Sequence, residues 1–264
     1  MAIRSAMQLL VRALKELIPL RRTRIMEQIV LSKTNGIVQS GPFRGMQYIS
    51  RSHHHSAFPP KLLGTYEREL SGPLEEAIRM QYNLVVDVGA GEGYYAVGLA
   101  LRLAHAKIIA YEMESSAREL LRELVRLNNV QDQITICGFC TKQSLASSLN
   151  GDGKSLLICD AEGAEVILLD PIRIPALRNS FILVELHEGI LDGISEEIRE
   201  RFASTHIIQS IHQEPRARNE FPYKTLSTTL LPSFIDYAMD ERRAYQQIWY
   251  WMKPKPEANG IVMQ

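Results

Sequence analysis

From Leu84 onward the chain alternates short apolar runs with amphipathic stretches, and this rhythm constrains its fold more than any other feature. Runs at 84–88, 107–112, 133–138, 155–160 and 181–187 have strand length and many β-branched residues. The stretches between and after them, near 94–104, 114–127, 162–169 and 195–204, carry helical spacing. Strand, helix, strand at this interval gives each strand a crossover long enough to run parallel to its neighbour. The outcome is a parallel sheet covered by helices on both faces. Two further runs, His206–Gln213 and Gln247–Met252, bring the expected strand number to seven, the last one antiparallel. The expected class is therefore α/β.

Upstream of the sheet, residues 1–64 read as a helical and hairpin extension, and residues 65–264 as the main domain. Ile3, Met7, Leu10, Leu14 and Leu17 recur at helical spacing up to Pro19, among basic residues. Such a helix suits a homodimer contact, a partner or a membrane surface. Residues 36–50 read as a hairpin turning at Gly41-Pro42, followed by a His53-His54-His55 linker that ends at Pro59-Pro60. A helix is expected over about 65–80. The long 214–246 connection, with Pro215, Pro222 and Pro232, is where acceptor contacts would gather.

Composition narrows the classes. The hydrophobic fraction is 45% and the charged fraction 23%, ordinary for a globular protein. Lys+Arg and Asp+Glu both number 30, a balance that argues against general nucleic-acid binding. Cys137, Cys140 and Cys159 are too few and too odd in number for a secreted disulfide framework. No apolar run reaches the roughly 18 residues of a membrane span. Arg12, Lys15 and Glu16 interrupt any signal-peptide core, so a cytoplasmic location is expected.

The chemistry gathers at strand ends. The first run of the sheet passes from Asp87-Val88 into Gly89-Ala90-Gly91-Glu92-Gly93 and then a helix. Glycines there admit a ligand close to the backbone, and the helix start offers N–H groups to an anion. A dinucleotide fingerprint from Gly89 would need a third glycine where Tyr94 stands. Asp87 would oppose a pyrophosphate but suits a cationic amino acid moiety. The pattern D-x-G-x-G-x-G resembles the first motif of class I S-adenosylmethionine-dependent methyltransferases, whose fold is Rossmann-like. In that family an acid ending the second strand binds both ribose hydroxyls, and Glu112 occupies the place. The resemblance implies a cofactor set of Asp87, Gly89, Ala90, Gly91, Gly93, Tyr94, Glu112, Gly138, Phe139, Asp160 and Tyr66. Phe139 would face the adenine, or else belong to the core. Tyr66 and Glu67, in Gly64-Thr65-Tyr66-Glu67, would come from a segment folding over the cofactor, or simply open a helix.

The fourth and fifth strands end in Asp160-Ala161-Glu162-Gly163-Ala164-Glu165 and Val184-Glu185-Leu186-His187. Together these motifs resemble the FkbM family of methyltransferases over residues 84–190, which implies methylation of a hydroxyl on a small molecule or sugar. The Asn/Asp-Pro-Pro-Tyr/Phe motif of enzymes acting on exocyclic base nitrogens is absent after the fourth strand. His187 is the first candidate for the general base, because an imidazole is half neutral near pH 7; Asp160 is the second. Asp160, Glu162, Glu185 and His187 could instead bind a divalent ion, but the Asp and Asp-Asn set of catechol-type enzymes is missing, and no metal is assigned. Arg216, Arg218, Arg242 and Arg243 are expected at the rim, for an anionic substrate or as solvated loop charge. A protein or RNA acceptor, a nucleotide-dependent oxidoreductase and a non-catalytic cofactor-binding module stand as alternatives.

Overall fold

The computed structural model describes residues 27–49, 57–150, 154–223, 232–243 and 245–256. The N-terminal stripe up to Pro19 and the His53-His54-His55 linker lie outside them. Seven strands form one sheet: β1 (Leu84–Val88), β2 (Lys107–Tyr111), β3 (Ile134–Cys137), β4 (Ser155–Cys159), β5 (Phe181–Leu186), β6 (His206–His212) and β7 (Ile248–Pro254). Their order is β3-β2-β1-β4-β5-β7-β6, with β7 antiparallel to both its neighbours. This is the expected class: mostly parallel, with the last strand reversed. Among the described residues no helix is long and apolar enough to cross a membrane.

Alternation along the strands builds two cores. Val85, Leu156, Ile158, Leu183, Trp249 and Trp251 face one layer. Val86, Val88, Leu157, Cys159, Val184 and Tyr250 face the other. A strand apolar on both faces must be covered on both, and the helices do so. The first layer is closed by residues upstream of the sheet: Val38, Phe43, Met46, Tyr48, Leu62 and Leu63 are all buried in it. Phe43 meets Tyr94 and Tyr95 edge-on, with centroids 5.2 and 6.0 Å apart.

Several local expectations give way to other physics. The hairpin contracts to a single bridge, Ile37 to Gln47. Pro59 and Pro60 begin a helix, Phe58–Leu63, because proline is well placed where the first-turn N–H groups have no intrahelical partner. The helix expected over 65–80 runs only over Ser71–Met80, after a short 3-10 turn at Arg68–Leu70. The one expected near 162–169 shrinks to Glu165–Leu168, since Glu162 and Gly163 both take positive φ. A further helix, Lys142–Leu149, starts from a capping box between Thr141 and Ser144. The 214–246 connection includes a helix at Pro232–Met239.

Register sets the site. Cys137, Tyr111, Val88, Cys159 and Val184 lie side by side across β3, β2, β1, β4 and β5. The residues that follow them, Gly138, Glu112, Gly89, Asp160 and Glu185, therefore form one row along the carboxyl edge. β1 and β4 run parallel, but the strand order switches between them, from β1-β2-β3 on one side to β4-β5 on the other, so the crevice opens at Gly89 and Asp160.

Candidate active site

A cavity of about 1030 Å³ lies over this row. Gly89, Gly91, Glu112, Met113, Gly138 and Phe139 line one end; Asp160, Glu162, Glu185, His187, Arg243 and Tyr245 line the other. Of the residues proposed from sequence, Tyr66 also reaches it, whereas Asp87, Ala90, Gly93 and Tyr94 lie behind its wall. The Tyr94 ring is buried against Phe43, Tyr48, Tyr66 and Tyr95. Its side chain serves the packing beneath the loop.

At the first end, Gly89 has φ +83, and a Cβ there would overlap the Asp160 carbonyl, so β1 and β4 can meet this closely only at a glycine. Glu112 accepts hydrogen bonds from the N–H of Gly91 at 2.8 Å and of Glu114 at 2.7 Å. Its carboxylate is thus locked between two loops, with lone pairs to spare for a diol. Phe139 is 68% exposed and stands on the cavity wall, so it does not belong to the core. Asp87 is buried one layer down, and its Oδ2 finds no hydrogen-bond partner among the described residues. Burial, with the charges of Asp160 and Glu112, pushes its pKa up to about 7.

The other end is built around His187. Its Nδ1 lies 2.9 Å from Oε1 of Glu165, a side chain with no exposure. The same carboxylate oxygen accepts the Ala161 N–H at 2.8 Å, which fixes the Glu165 position. Nε2 lies 3.4 Å from Asp160 Oδ1, 3.5 Å from Glu162 Oε2 and 3.9 Å from Glu185 Oε1. Burial works against a charged imidazole, but the Glu165 hydrogen bond and the surrounding carboxylates outweigh it and raise the His187 pKa. Asp160 is pushed up to about 7 by burial and by Glu67, and Glu185 to about 10 by burial and by Asp160. Asp160, Glu185 and His187 also offer ligand atoms within 4.8 Å of one another, so the donors for a cation are present.

Of the four arginines expected at the rim, Arg242 and Arg243 line the cavity and Arg216 and Arg218 do not. Arg243 pairs with Glu67, approaches Glu185 at 3.3 Å and donates to the Tyr66 hydroxyl at 3.0 Å. Arg216 is held by Glu69 and Glu241 away from the cavity, and Arg218 by Asp236. Arg242 does line the cavity, with its guanidinium over the Tyr237 ring. Glu165 and the Arg243 pairing were not foreseen at the site, whereas Glu67 was expected only beside Tyr66, in a segment folding over the cofactor or opening a helix. Glu165 stood in the Asp160 motif, where its spacing gave no role. The pairing of Glu67 with Arg243 had no local signal, because it joins residues far apart in sequence.

Eight acidic side chains and three cationic ones line the cavity. Of the cations, Lys61 is paired with Glu92 at 2.7 Å and Arg243 with its own acids. A sulfonium and an ammonium group fit such a lining, and a polyphosphate does not.

Residues 75–151 match the TRM5/TYW2 methyltransferase domain family. The match takes in the glycine loop and Glu112 and stops before Asp160 and His187. Among curated proteins, none matches the chain. Solved structures it resembles include the precorrin-6y C5,15-methyltransferase of Geobacter metallireducens, at 12% identity and a TM-score of 0.44, covering 70% of this chain and 88% of that one. Another is the O-methyltransferase of Bacillus cereus in complex with S-adenosylhomocysteine, at 14% and 0.45, covering 68% and 78%. A third is the O-methyltransferase TomG of Streptomyces achromogenes, at 12% and 0.44, covering 68% and 77%. With the matched segment forming the glycine-loop end of the cavity, the chain is in class an S-adenosylmethionine-dependent methyltransferase.

Proposed function

We propose that the chain methylates a hydroxyl oxygen of a small molecule or sugar, in the manner of the FkbM family. The pairing of Glu165 with His187 carries this reading. With Nδ1–H donated to a buried carboxylate, the Nε2 lone pair is directed to the cavity end opposite Phe139. S-adenosylmethionine, when bound, supplies an electrophilic methyl carbon on a sulfonium leaving group. His187 Nε2 would take the proton of the acceptor hydroxyl, whose oxygen would receive the methyl group as the sulfonium leaves. A base so placed contributes about 10²–10⁴-fold. Alignment of acceptor and methyl contributes about 7–11 kcal/mol more. Glu112 would hold the ribose hydroxyls, Phe139 the adenine face and the Gly89–Gly93 loop the amino acid end. Asp160 keeps the base oriented. The acid-rich lining supports an acceptor without phosphate, a sugar or small molecule rather than RNA.

Calorimetric titration with S-adenosylmethionine and S-adenosylhomocysteine, with NAD(P)H as control, tests the cofactor half. Micromolar binding lost in Glu112→Ala is expected. Folded protein that binds neither sulfur compound would sink the reading.

A further inference from the structure

Beyond His187 the chain makes a tight turn: its carbonyl accepts the N–H groups of Ile190 at 2.9 Å and Leu191 at 3.0 Å. The turn holds Gly189 two residues from the base, and Tyr245 packs on it. A Cβ at Gly189 would stand 2.9 Å from two ring atoms of Tyr245 and 3.1 Å from a third. Only the missing side chain lets the ring settle there. Yet Tyr245 remains 62% exposed and lines the cavity, as does Ile190, which is 57% exposed and packs on Gly163. Two large apolar side chains thus stand open to the cavity beside a buried base. Glu162, Arg242 and Gln246 line the same cavity and supply polar groups around them.

We propose that Tyr245 and Ile190 form an acceptor platform that takes a hydroxylated six-membered ring, with Tyr245 against the ring's apolar face. This rests on the hydroxyl-methylation reading and deepens it. An aromatic face contributes contact area at little entropic cost, since its side chain has two rotatable bonds. The surrounding acid, amide and guanidinium groups match a rim of hydroxyls in donors and acceptors alike. With acids in excess, a phosphorylated ring is excluded. The platform chemistry is shared by pyranoses and phenols, and the test separates the two.

Saturation-transfer NMR on the full chain with S-adenosylhomocysteine, using methyl glucopyranoside, phenol and glucose 6-phosphate as probes, reads ring docking without turnover. Ring protons of the glycoside or of phenol should saturate in the wild type and in Tyr245→Phe. The signal should fall at least tenfold in Tyr245→Ala, and also in Gly189→Ala, whose Cβ displaces the ring. Whichever probe responds assigns the source of the ring. Equal signals in Tyr245→Ala, no response from either neutral ring, or a preference for the phosphate would each overturn the proposal. Calorimetry on the same samples separates the two failures. If S-adenosylhomocysteine binds but rings do not, the platform alone falls; if it does not bind, the methyltransferase reading falls and takes the platform with it.

Discussion

Glu165, wholly buried, holds Nδ1 of His187 at 2.9 Å from its carboxylate. A carboxylate in that position sets the imidazole tautomer and stabilises the charge that forms when Nε2 takes a proton. His187→Ala should lower kcat by about 10²–10⁴-fold. Glu165→Gln keeps the shape but weakens the preference for the Nδ1–H tautomer, so it should lower kcat more than it raises KM. The His187 pKa is raised by its acids, so the neutral base becomes abundant only above the usual 6.5. Activity of the wild type should therefore climb with pH through that value, and the limb should shift to lower pH in Glu165→Gln. Steady-state rates from pH 5.5 to 9 decide it: a flat profile in both proteins would remove His187 from the reaction.

The carboxylates around His187 make a second prediction, about stability. Asp87 and Asp160 are pushed up to about 7 and Glu185 to about 10, so between pH 5 and 8 the folded chain binds more protons than the unfolded one. Stability falls with rising pH wherever that holds, and the raised His187 adds to the same slope. Without cofactor, the melting temperature should drop from pH 5 to pH 8. Asp160→Asn should flatten the slope and raise Tm at pH 8 by about 2–4 °C for each kcal/mol relieved, while turnover falls. Scanning calorimetry at several pH values checks both; a Tm that rises with pH contradicts the assignment.

How much of this was legible in the sequence follows from the range of each interaction. Strand positions came from local periodicity, and all seven stand within about two residues of where the apolar runs placed them. That Gly89 and Glu112 fall on the carboxyl edge of the sheet was legible because each directly follows a strand whose apolar run marks its end. The Lys142–Leu149 helix was not, since only Leu145 and Leu149 bury a side chain there, too few for a periodic stripe. Glu67 and Arg243 could not be paired from sequence, because 176 residues separate them. Tertiary contacts between charges leave no periodic trace. Arg216 and Arg243 therefore read as rim cations when their charges are already spent on buried acids.

Phe139 supplies a third prediction. Its exposed ring on the cavity wall next to Gly138 should stack on the adenine, contributing about 0.5–1.5 kcal/mol beyond simple burial. Phe139→Ala should weaken S-adenosylhomocysteine binding roughly three- to tenfold, while Phe139→Tyr should be close to neutral. Because the side chain carries no core packing, Tm without ligand should not change. If affinity were unchanged in Phe139→Ala, the adenine would have to lie elsewhere.

Arg243 ties the segment before the sheet to the base-bearing strand, since its guanidinium serves Glu67 and Glu185 at once. Breaking one partner of a buried pair costs about 3–5 kcal/mol, because the other charge is left unpaired. Protonation of the abandoned acids can relieve part of that cost, and more of it at low pH. Losing the cation raises the pKa of Glu185 and Glu241, both of which Arg243 lowers. Extra protons bound in the folded state mean a steeper loss of stability as pH rises. Arg243→Met should therefore destabilise the chain more at pH 8 than at pH 5. Adding Glu67→Gln should restore part of the loss, since the amide still accepts the Tyr95 hydroxyl without stranding a charge. Urea unfolding of the two single variants and the double gives the coupling energy directly. A coupling near zero at both pH values would mean that solvent, not Arg243, neutralises Glu67.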